Sequence, residues 1–473
     1  MKGKNRLLGT GAAVLVAVAL VLFVPRSRPP RPNIILISLD TLRADRLGCY
    51  GCPTGTSPNI DAFSRDGVQF LRAISQECTT ATSHMSLFTG LLPPVHGVSS
   101  WLRNPAWAKR FGLSKLGEGI PTLAQYLKEN GYRTIGLHNG GLVSPFFGFG
   151  QGFDVYTEKC IPWLRLYQNP SALNVIGRFL RQSDRAKQPL FLFLHTYTCH
   201  APYIKAPQEI RERFLPDPQP GLPIGTIPAG SSFWSMYKPF WKAIDGNNEA
   251  HRRQVRGLYD AEVNYADWIV GQIIALLKAN GSYDKTLIAI VSDHGEEFWE
   301  HGGISHKQLF IETLHVPLLI KFPGGEYGGK RISALVGQFD LMPTLLEHLR
   351  IKPRLEPQAR SLFPLIRGEE ALPRRVLSFE DGLQFVRFNQ GHFVYFNGIR
   401  FDPGHWLFDT ANDPDERRNL AADRPRIVQQ MHSVAAAIMK EQRRVRGRIK
   451  ANAHGSRELP EDLQKQLKAM GYI

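Results

Sequence analysis

The chain has 473 residues, 43% hydrophobic and 21% charged, the balance of an ordinary globular enzyme, and its length calls for one large domain plus a smaller one. A net charge of +16 suits anionic substrates or anionic lipids; the chain shows no recognisable nucleic-acid module, so nucleic acid is excluded as a partner. Five cysteines in a chain this long exclude a disulfide scaffold.

Lys2, Lys4 and Arg6 precede an uncharged apolar run, Leu7 to Val24, just long enough to span a bilayer. No small-x-small cleavage site follows, so the run is read as a retained anchor; a cleaved signal segment and a secreted product are the alternative. Arg26, Arg28 and Arg31 nearly balance the earlier positive residues and leave the orientation open, with a catalytic domain outside the cytoplasm as the expectation. Residues 1–32 therefore form an anchor and a Pro/Arg linker.

From Asn33 onward, buried-type strands alternate with helical patterns, which predicts an α/β fold with a mostly parallel sheet flanked by helices. Asn33 to Leu39 is the first strand and delivers Asp40; Cys49-Tyr50-Gly51-Cys52 follows as a plain loop. Thr79 to Gly90 is a Thr/Ser-rich helix start containing Thr80 and His84. A helix is predicted over Ile120 to Asn130, and strands over Thr134 to Leu137 and Leu190 to Leu194, the latter ending at His195 and Thr196. His200 lies just beyond it, on the crevice side.

Pro202 to Trp241 is rich in proline, glycine and aromatics, and is either a substrate lid carrying Trp234, Tyr237 and Trp241 or a packed surface insertion. Glu262 to Ala279 repeats apolar residues at helical spacing. The strand Leu287 to Val291 runs into Ser292-Asp293-His294-Gly295-Glu296, and His301, His306 and Lys307 come soon after. Val316 to Ile320 is a further strand, closing a catalytic domain placed at residues 33–370. Residues 371–473 read as a small α+β subdomain: strands at Val376 to Phe379, Gln384 to Phe388, His392 to Phe396 and Trp406 to Phe408, then a helix from Arg426 to Arg443.

Parallel strands that end in Asp40 and in Asp293-His294 place metal-ligand side chains where the sheet opens into a crevice. Hard oxygens plus an imidazole suit one divalent ion: calcium, magnesium, manganese or zinc. A hydroxyl held against such a cation becomes a competent nucleophile, and a helix N-terminus helps stabilise an anionic transition state. His200 and His306 are placed to protonate a leaving oxygen or bind a substrate oxyanion, while His84, His301 and Lys307 are candidate substrate contacts.

These residues occur within a wider set of motifs. Asn33 to Gly51, Ser57-Pro58-Asn59-Ile60-Asp61, Thr89 to Gly97, His200-Ala201-Pro202-Tyr203, Ser292 to Glu296 and His315 to Leu319 follow one another in an order that resembles the sulfatase family of the alkaline phosphatase superfamily. Trp406 to Asp409, Asp413 to Glu416 and Asn419 to Ala421 extend the resemblance into the tail. It implies an alkaline-phosphatase-like fold in which Asp40, Asp293 and His294 bind one divalent metal and the nucleophile completes the set. Counting back from Thr89-Gly90 places that nucleophile at Thr80.

Typical sulfatases carry there a cysteine or serine converted to formylglycine, within a Cys-x-Pro-Ser-Arg-type motif. This chain reads Thr80-Ala81-Thr82-Ser83-His84, and Cys78 lies two places too early, so no formylglycine is expected. Thr41 stands where a second aspartate is often found, and Gly131 to Asn139 lacks the usual Gly-Lys. A threonine nucleophile is similar to the phosphoethanolamine and phosphoglycerol transferases of the same superfamily.

The expected activity is that of a sulfatase-family, metal-dependent enzyme cleaving or transferring a sulfate or phosphate ester through Thr80. A membrane-anchored transferase and a catalytically silent binder of anionic glycans or lipids are the alternatives. The expected partners are an anionic ester substrate and, through the N-terminal segment, a membrane.

Overall fold

Residues 31–99, 115–161, 166–215, 217–219, 222, 234–369, 375–380, 385–399, 402, 404–449 and 460–469 are described by the computed structural model. The apolar run Leu7 to Val24 lies outside them, as does most of the stretch between 216 and 233 within the candidate lid; among the described residues no helix is long and apolar enough to cross a membrane.

The main sheet is built from β1 (Asn33–Leu39), β2 (Val68–Ile74), β3 (Arg133–Leu137), β4 (Val155–Thr157), β5 (Leu190–Thr196) and β6 (Thr286–Val291). A small hairpin follows, β7 (Glu297–Phe298) with β8 (Ile304–Ser305). Then come β9 (His315–Val316), β10 (Leu318–Lys321) and β11 (Arg331–Gly337). The order across the sheet is β11-β2-β10-β6-β1-β5-β3-β4, with β9 paired to β2.

Strand β1 has a parallel neighbour on each side: Ile34 pairs with Phe191 of β5 and with Leu287 of β6. Burial on both faces explains why β1, β5 and β6 read as continuous apolar runs rather than alternating ones. The same pairing brings Asp40, the residues after Val291 and the end of β5 to one edge of the sheet.

The strand expected at Val316 to Ile320 is two short strands, β9 and β10, and β10 runs antiparallel to both β2 and β6. Its direction has a simple cause. After β6 the chain stays at the edge where β6 ends, and the one helix before β9, Ile311–Leu314, is too short to carry it back across the sheet. The central sheet is therefore mostly, not wholly, parallel.

Helices cover both faces. α1 (Pro58–Asp66), α2 (Thr80–Thr89) and α3 (Glu249–Ala279) are the ones that matter for the site. α3 begins well before the predicted Glu262, because the Asn248 side chain accepts the Ala250 N–H and caps an earlier start. One face of the sheet packs Ile34, Leu36, Phe88 and Phe193 into a common core; the other packs Ile35, Ile37, Tyr259 and Ile269.

The C-terminal part is a four-stranded antiparallel sheet of β12 (Leu377–Glu380), β13 (Phe385–Gln390), β14 (Phe393–Phe396) and β15 (Trp406–Asp409), in that order. Its helix, α4, is Pro425–Ile449. Phe396 and Phe408 of this sheet share a hydrophobic cluster with Ile74, Leu309 and Phe310 of the main body, so the C-terminal sheet is seated against the elements that carry the candidate site.

Candidate active site

Asp40, Asp293 and His294 converge at the edge of β1 and β6, with ligand-type atoms all within 4.8 Å of one another and all three side chains fully buried. The turn after β1 makes this possible. Thr41 takes a left-handed backbone, φ 57°, unusual for a β-branched residue, and its N–H then donates to Asp293 Oδ1 at 3.1 Å. Leu42 N–H donates to Ser292 Oγ at 2.9 Å, and Tyr259 Oη donates to the Thr41 carbonyl at 2.6 Å. Strain in that turn is retained because three hydrogen bonds overdetermine it.

Asp40 Oδ1 and Asp293 Oδ2 are buried without a hydrogen-bond partner. Burial, and then the Asp293 carboxylate, raise the Asp40 carboxyl well above the ordinary carboxylate range. Burial acts to raise Asp293 too, but the neighbouring His294, His84 and His195 outweigh it and hold its carboxyl below that range. Two orphaned carboxylate oxygens beside an imidazole are a donor set that fits a divalent cation, which would satisfy both oxygens at once.

His294 Nδ1 lies 2.9 Å from the Gly295 carbonyl, which can only accept, so the proton is on Nδ1 and the Nε2 lone pair faces the cluster. Thr80 Oγ1 is 3.3 Å from that Nε2. Thr80 is the first residue of α2 and fully buried, so the helix N-terminus opens on the same point. His84, one turn further along, has both ring nitrogens engaged: Nδ1 with the Thr80 carbonyl at 2.9 Å and Nε2 with Ser38 Oγ at 2.8 Å. It supports the start of α2 from beneath.

A second group stands beside the first. The His306 ring is 4.4 Å from that of His294 and 5.2 Å from that of His200. His306 Nδ1 lies 2.9 Å from Glu296 Oε1, which orients the ring. His200 donates its Nδ1 proton to the Ala201 carbonyl at 2.6 Å; burial, then His306, lower its pKa to about 3, so it is neutral at ordinary pH. The Lys205 ammonium donates to the carbonyls of His200 and of Pro202, the latter at 3.0 Å, and so holds the turn that presents His200. Tyr237 closes over this group, with Oη 3.3 Å from Ser305 Oγ and its ring 6.1 Å from His200; Trp241 packs on Tyr203. Trp234 has no described side chain.

Lys307 follows His306 and is half-buried. His301 is elsewhere: it stacks on Phe310 and meets the carbonyl of Glu416 from the C-terminal part. Two histidines not singled out from the sequence join the site edge. His195, at the end of β5, has Nε2 3.2 Å from Asp40 Oδ2, and His138, just past β3, stacks on Tyr156 and is held by burial at a pKa of about 4. His195 Nδ1 and His138 Nε2 are buried without hydrogen-bond partners. The strand-end logic that found Asp40 and Asp293 applies equally to both.

An α/β sheet whose strand-end carboxylates and histidine converge beside a hydroxyl at a helix start defines a class, the alkaline-phosphatase-like ester hydrolases. Residues 32–351 match the sulfatase family model, and residues 299–445 match the model of the N-sulphoglucosamine sulphohydrolase C-terminal region. The chain belongs to the sulfatase family. It is 26% identical to arylsulfatase K of Gallus gallus over 91% of this chain and 88% of that protein. It is also 26% identical to the iduronate 2-sulfatase of Homo sapiens, over 71% of this chain and 68% of that protein. Among solved structures, the phosphonate monoester hydrolase of Agrobacterium radiobacter superposes with a TM-score of 0.67 at 21% identity, over 91% of this chain and 99% of that one. The protein is a sulfatase-like ester hydrolase, and its relatives are hydrolases rather than transferases.

One expectation is corrected. Arylsulfatase K and iduronate 2-sulfatase depend on formylglycine, which overturns the expectation that none takes part here. The departures of Thr80-Ala81-Thr82-Ser83-His84 from the usual motif, and the place of Cys78 two residues before it, do not decide the cofactor. In the fold Cys78 is buried immediately before α2, with Sγ 3.4 Å from Glu77 Oε1, so a cysteine does stand at the foot of that helix.

Proposed function

We propose that this enzyme hydrolyses a sulfate ester at a divalent cation held by Asp40, Asp293 and His294, with Thr80 Oγ1 as the attacking oxygen. The observation that carries the reading is the pair of buried, unpartnered carboxylate oxygens beside the His294 Nε2 lone pair and the Thr80 hydroxyl. When bound, the cation supplies positive charge that eases loss of the hydroxyl proton and neutralises charge on the ester oxygens.

The chain's own groups divide the remaining work. Thr80, its hydroxyl proton released to solvent before substrate closes the site, attacks the sulfur in line as the bond from sulfur to the alcohol oxygen breaks, and the N–H groups at the start of α2 face the developing negative charge. His306, oriented by Glu296, gives a proton to the departing alcohol oxygen. His200 is neutral and donates its Nδ1 proton to the Ala201 carbonyl, so its Nε2 lone pair orients the water that releases the enzyme-bound ester by accepting a hydrogen bond from it. Lys307 contacts an oxygen of the anionic group. Tyr237 and its neighbours keep bulk water from the reacting atoms.

A phosphate or phosphonate ester is the second reading, favoured by the likeness of the fold to a phosphonate monoester hydrolase. The apolar run Leu7 to Val24 supports a further proposal, that the enzyme is held at a membrane with its catalytic domain outside the cytoplasm.

The deciding experiment sets nitrophenyl sulfate against nitrophenyl phosphate monoester and diester, for wild type and Thr80→Ala, with mass spectrometry of the peptide that spans Cys78 and Thr80. Sulfate cleavage lost in Thr80→Ala supports the proposal. Cleavage that survives the substitution, together with an aldehyde at Cys78, overturns the assignment of Thr80.

A further inference from the structure

The β7–β8 hairpin carries Glu296 just before its first strand and His306 just after its second. Its turn is therefore a lever on the second half of the site, and His301 sits in that turn. The His301 ring lies face to face on Phe310, with centroids 3.8 Å apart and planes within 4°. Its Nε2 is 2.8 Å from the Glu416 carbonyl oxygen, an acceptor only, so Nε2 is protonated. Its Nδ1 lies 3.3 Å from Glu312 Oε2, an ion-pair contact with a second acceptor. A ring with an acceptor facing each nitrogen is placed to be an imidazolium.

The other side of this contact belongs to the C-terminal part. Glu416 is a non-glycine residue in the left-handed region, φ 57°, with a fully buried side chain. Its Oε2 accepts the Ile311 N–H at 3.2 Å, and its Oε1 pairs with Arg387 of β13. The next residue, Arg417, donates from Nη1 to the Glu300 carbonyl at 2.8 Å and places Nη2 3.5 Å from Glu312 Oε1. Two successive residues thus grip one turn. Within the hairpin, Glu297 Oε1 accepts the N–H groups of His301 at 3.0 Å and Gly303 at 2.8 Å, tying the turn to the strand that follows Glu296.

We infer that His301 is a positioning residue: it fastens the turn of the β7–β8 hairpin to the C-terminal subdomain and thereby fixes where Glu296 and His306 stand beside His294. The inference rests on the role given to His306 above. It also assigns the C-terminal subdomain a part in the reaction, since the Glu416 carbonyl and Arg417 both hold this turn.

Charge sets the strength of the fastening. The groups facing His301 are Glu297 from its own hairpin, Glu312, and Glu416 with Arg417 from the C-terminal part; Arg387 bears on it through Glu416. Burial works against the charged ring, but Glu312 and the Glu416 carbonyl outweigh it and raise its pKa above the ordinary 6.5. The cationic contact is therefore complete below about pH 6.5 and is lost as the pH climbs through the raised value.

The test uses the full chain, with His301→Gln, which removes the charge, and Glu312→Gln, which keeps the acceptor shape but removes its charge. Imidazole nitrogen NMR at one fixed pH follows the ring resonances of His306, and nitrophenyl sulfate turnover is measured from acid to alkaline pH. The expected result is displaced His306 resonances in both variants. With it go a kcat reduced on the order of tenfold with little change in KM, and loss in the variants of the alkaline decline expected of the wild type. Unchanged His306 resonances in two folded variants overturn the inference, and so does a fall in thermal midpoint with the kcat pH profile intact. A wild type that does not cleave the ester sinks the functional reading instead, and the His306 resonances then decide the positioning role alone.

Discussion

His195 Nε2 stands 3.2 Å from Asp40 Oδ2, both side chains are fully buried, and the two residues come from the adjacent parallel strands β5 and β1. Burial, and then His84, hold the His195 pKa well below its ordinary value, so the ring is neutral and shares a single proton with the Asp40 carboxyl. Asp40 is thereby turned so that its other oxygen, Oδ1, is left without a hydrogen bond, the oxygen that would meet the proposed cation. His195→Phe removes that donor while filling the space. The expected outcome is a divalent-ion affinity weaker by about 10- to 100-fold, read by titration calorimetry. Equal affinity in the two proteins would mean that Asp40 needs no such orientation.

Thr80→Ala is expected to lower kcat on nitrophenyl sulfate by roughly three orders of magnitude, while circular dichroism and the thermal midpoint stay near wild type. Thr80→Ser keeps the hydroxyl at the start of α2 and retains a measurable fraction of turnover. If alanine and serine behave alike, the hydroxyl is not the attacking group.

His96 gives a stability prediction with a definite sign. Its Nδ1 accepts the Val98 N–H at 3.1 Å and its ring is 3.0 Å from Ser86 Oγ; burial, then Arg446, lower its pKa to about 3. Between about pH 3 and the unfolded value near 6.5, the unfolded chain binds a proton at this residue that the folded chain does not, so stability rises with pH across that window. The contribution is present above 6.5 and lost as the pH falls, the loss having reached about 2 kcal/mol by pH 5. Urea unfolding from pH 7 to pH 4 should therefore show a shallower pH slope for His96→Asn than for wild type. Identical slopes would show that His96 does not contribute to acid sensitivity.

Gly295 has no room for a side chain. A Cβ there would stand 2.0 Å from the Glu312 carbonyl oxygen and 3.1 Å from Arg43 Cγ, against backbone that is itself bonded, since Gly295 N–H donates to the Thr313 carbonyl at 2.7 Å. Gly295→Ala should destabilise the fold by about 2–4 kcal/mol, visible as a lower thermal midpoint. Cation affinity should fall with it, because the Gly295 carbonyl fixes the tautomer of His294. A variant as stable as wild type would contradict the packing at this turn.

The parts of the fold legible in the sequence are those buried on both faces. β1, β5 and β6 are unbroken apolar runs because each lies inside the sheet, and the chemistry at the ends of β1 and β6 followed from that. β2 was not recognised because Gln69 and Arg72 interrupt its pattern, and β11 because it is an edge strand with several exposed positions. The direction of β10 depends on where the preceding hairpin leaves the chain, which no local pattern records. The histidines divide in the same way. His301 and His306 are both candidate site residues in the sequence, His301 as a substrate contact and His306 for proton transfer, but the pairing of Glu297 with Ser305 turns His306 toward His294 and His301 toward the C-terminal part.

The central place of β1 has a consequence for how the protein is made. Thr41 and the carboxylate it meets on Asp293 are 252 residues apart, and β10, which separates β2 from β6, lies later still. On the ribosome, Asp40 emerges while its partner strand β6 does not yet exist, and the apolar flank of β1 that β6 will cover has no neighbour. The nascent chain thus presents an open strand edge through most of its synthesis, a demand on chaperones that a protein of local contacts does not make. The pairing of the two carboxylates is confined to the end of that process, as a single late event, so a chain stalled before Ser292 holds one carboxylate of the pair without the other.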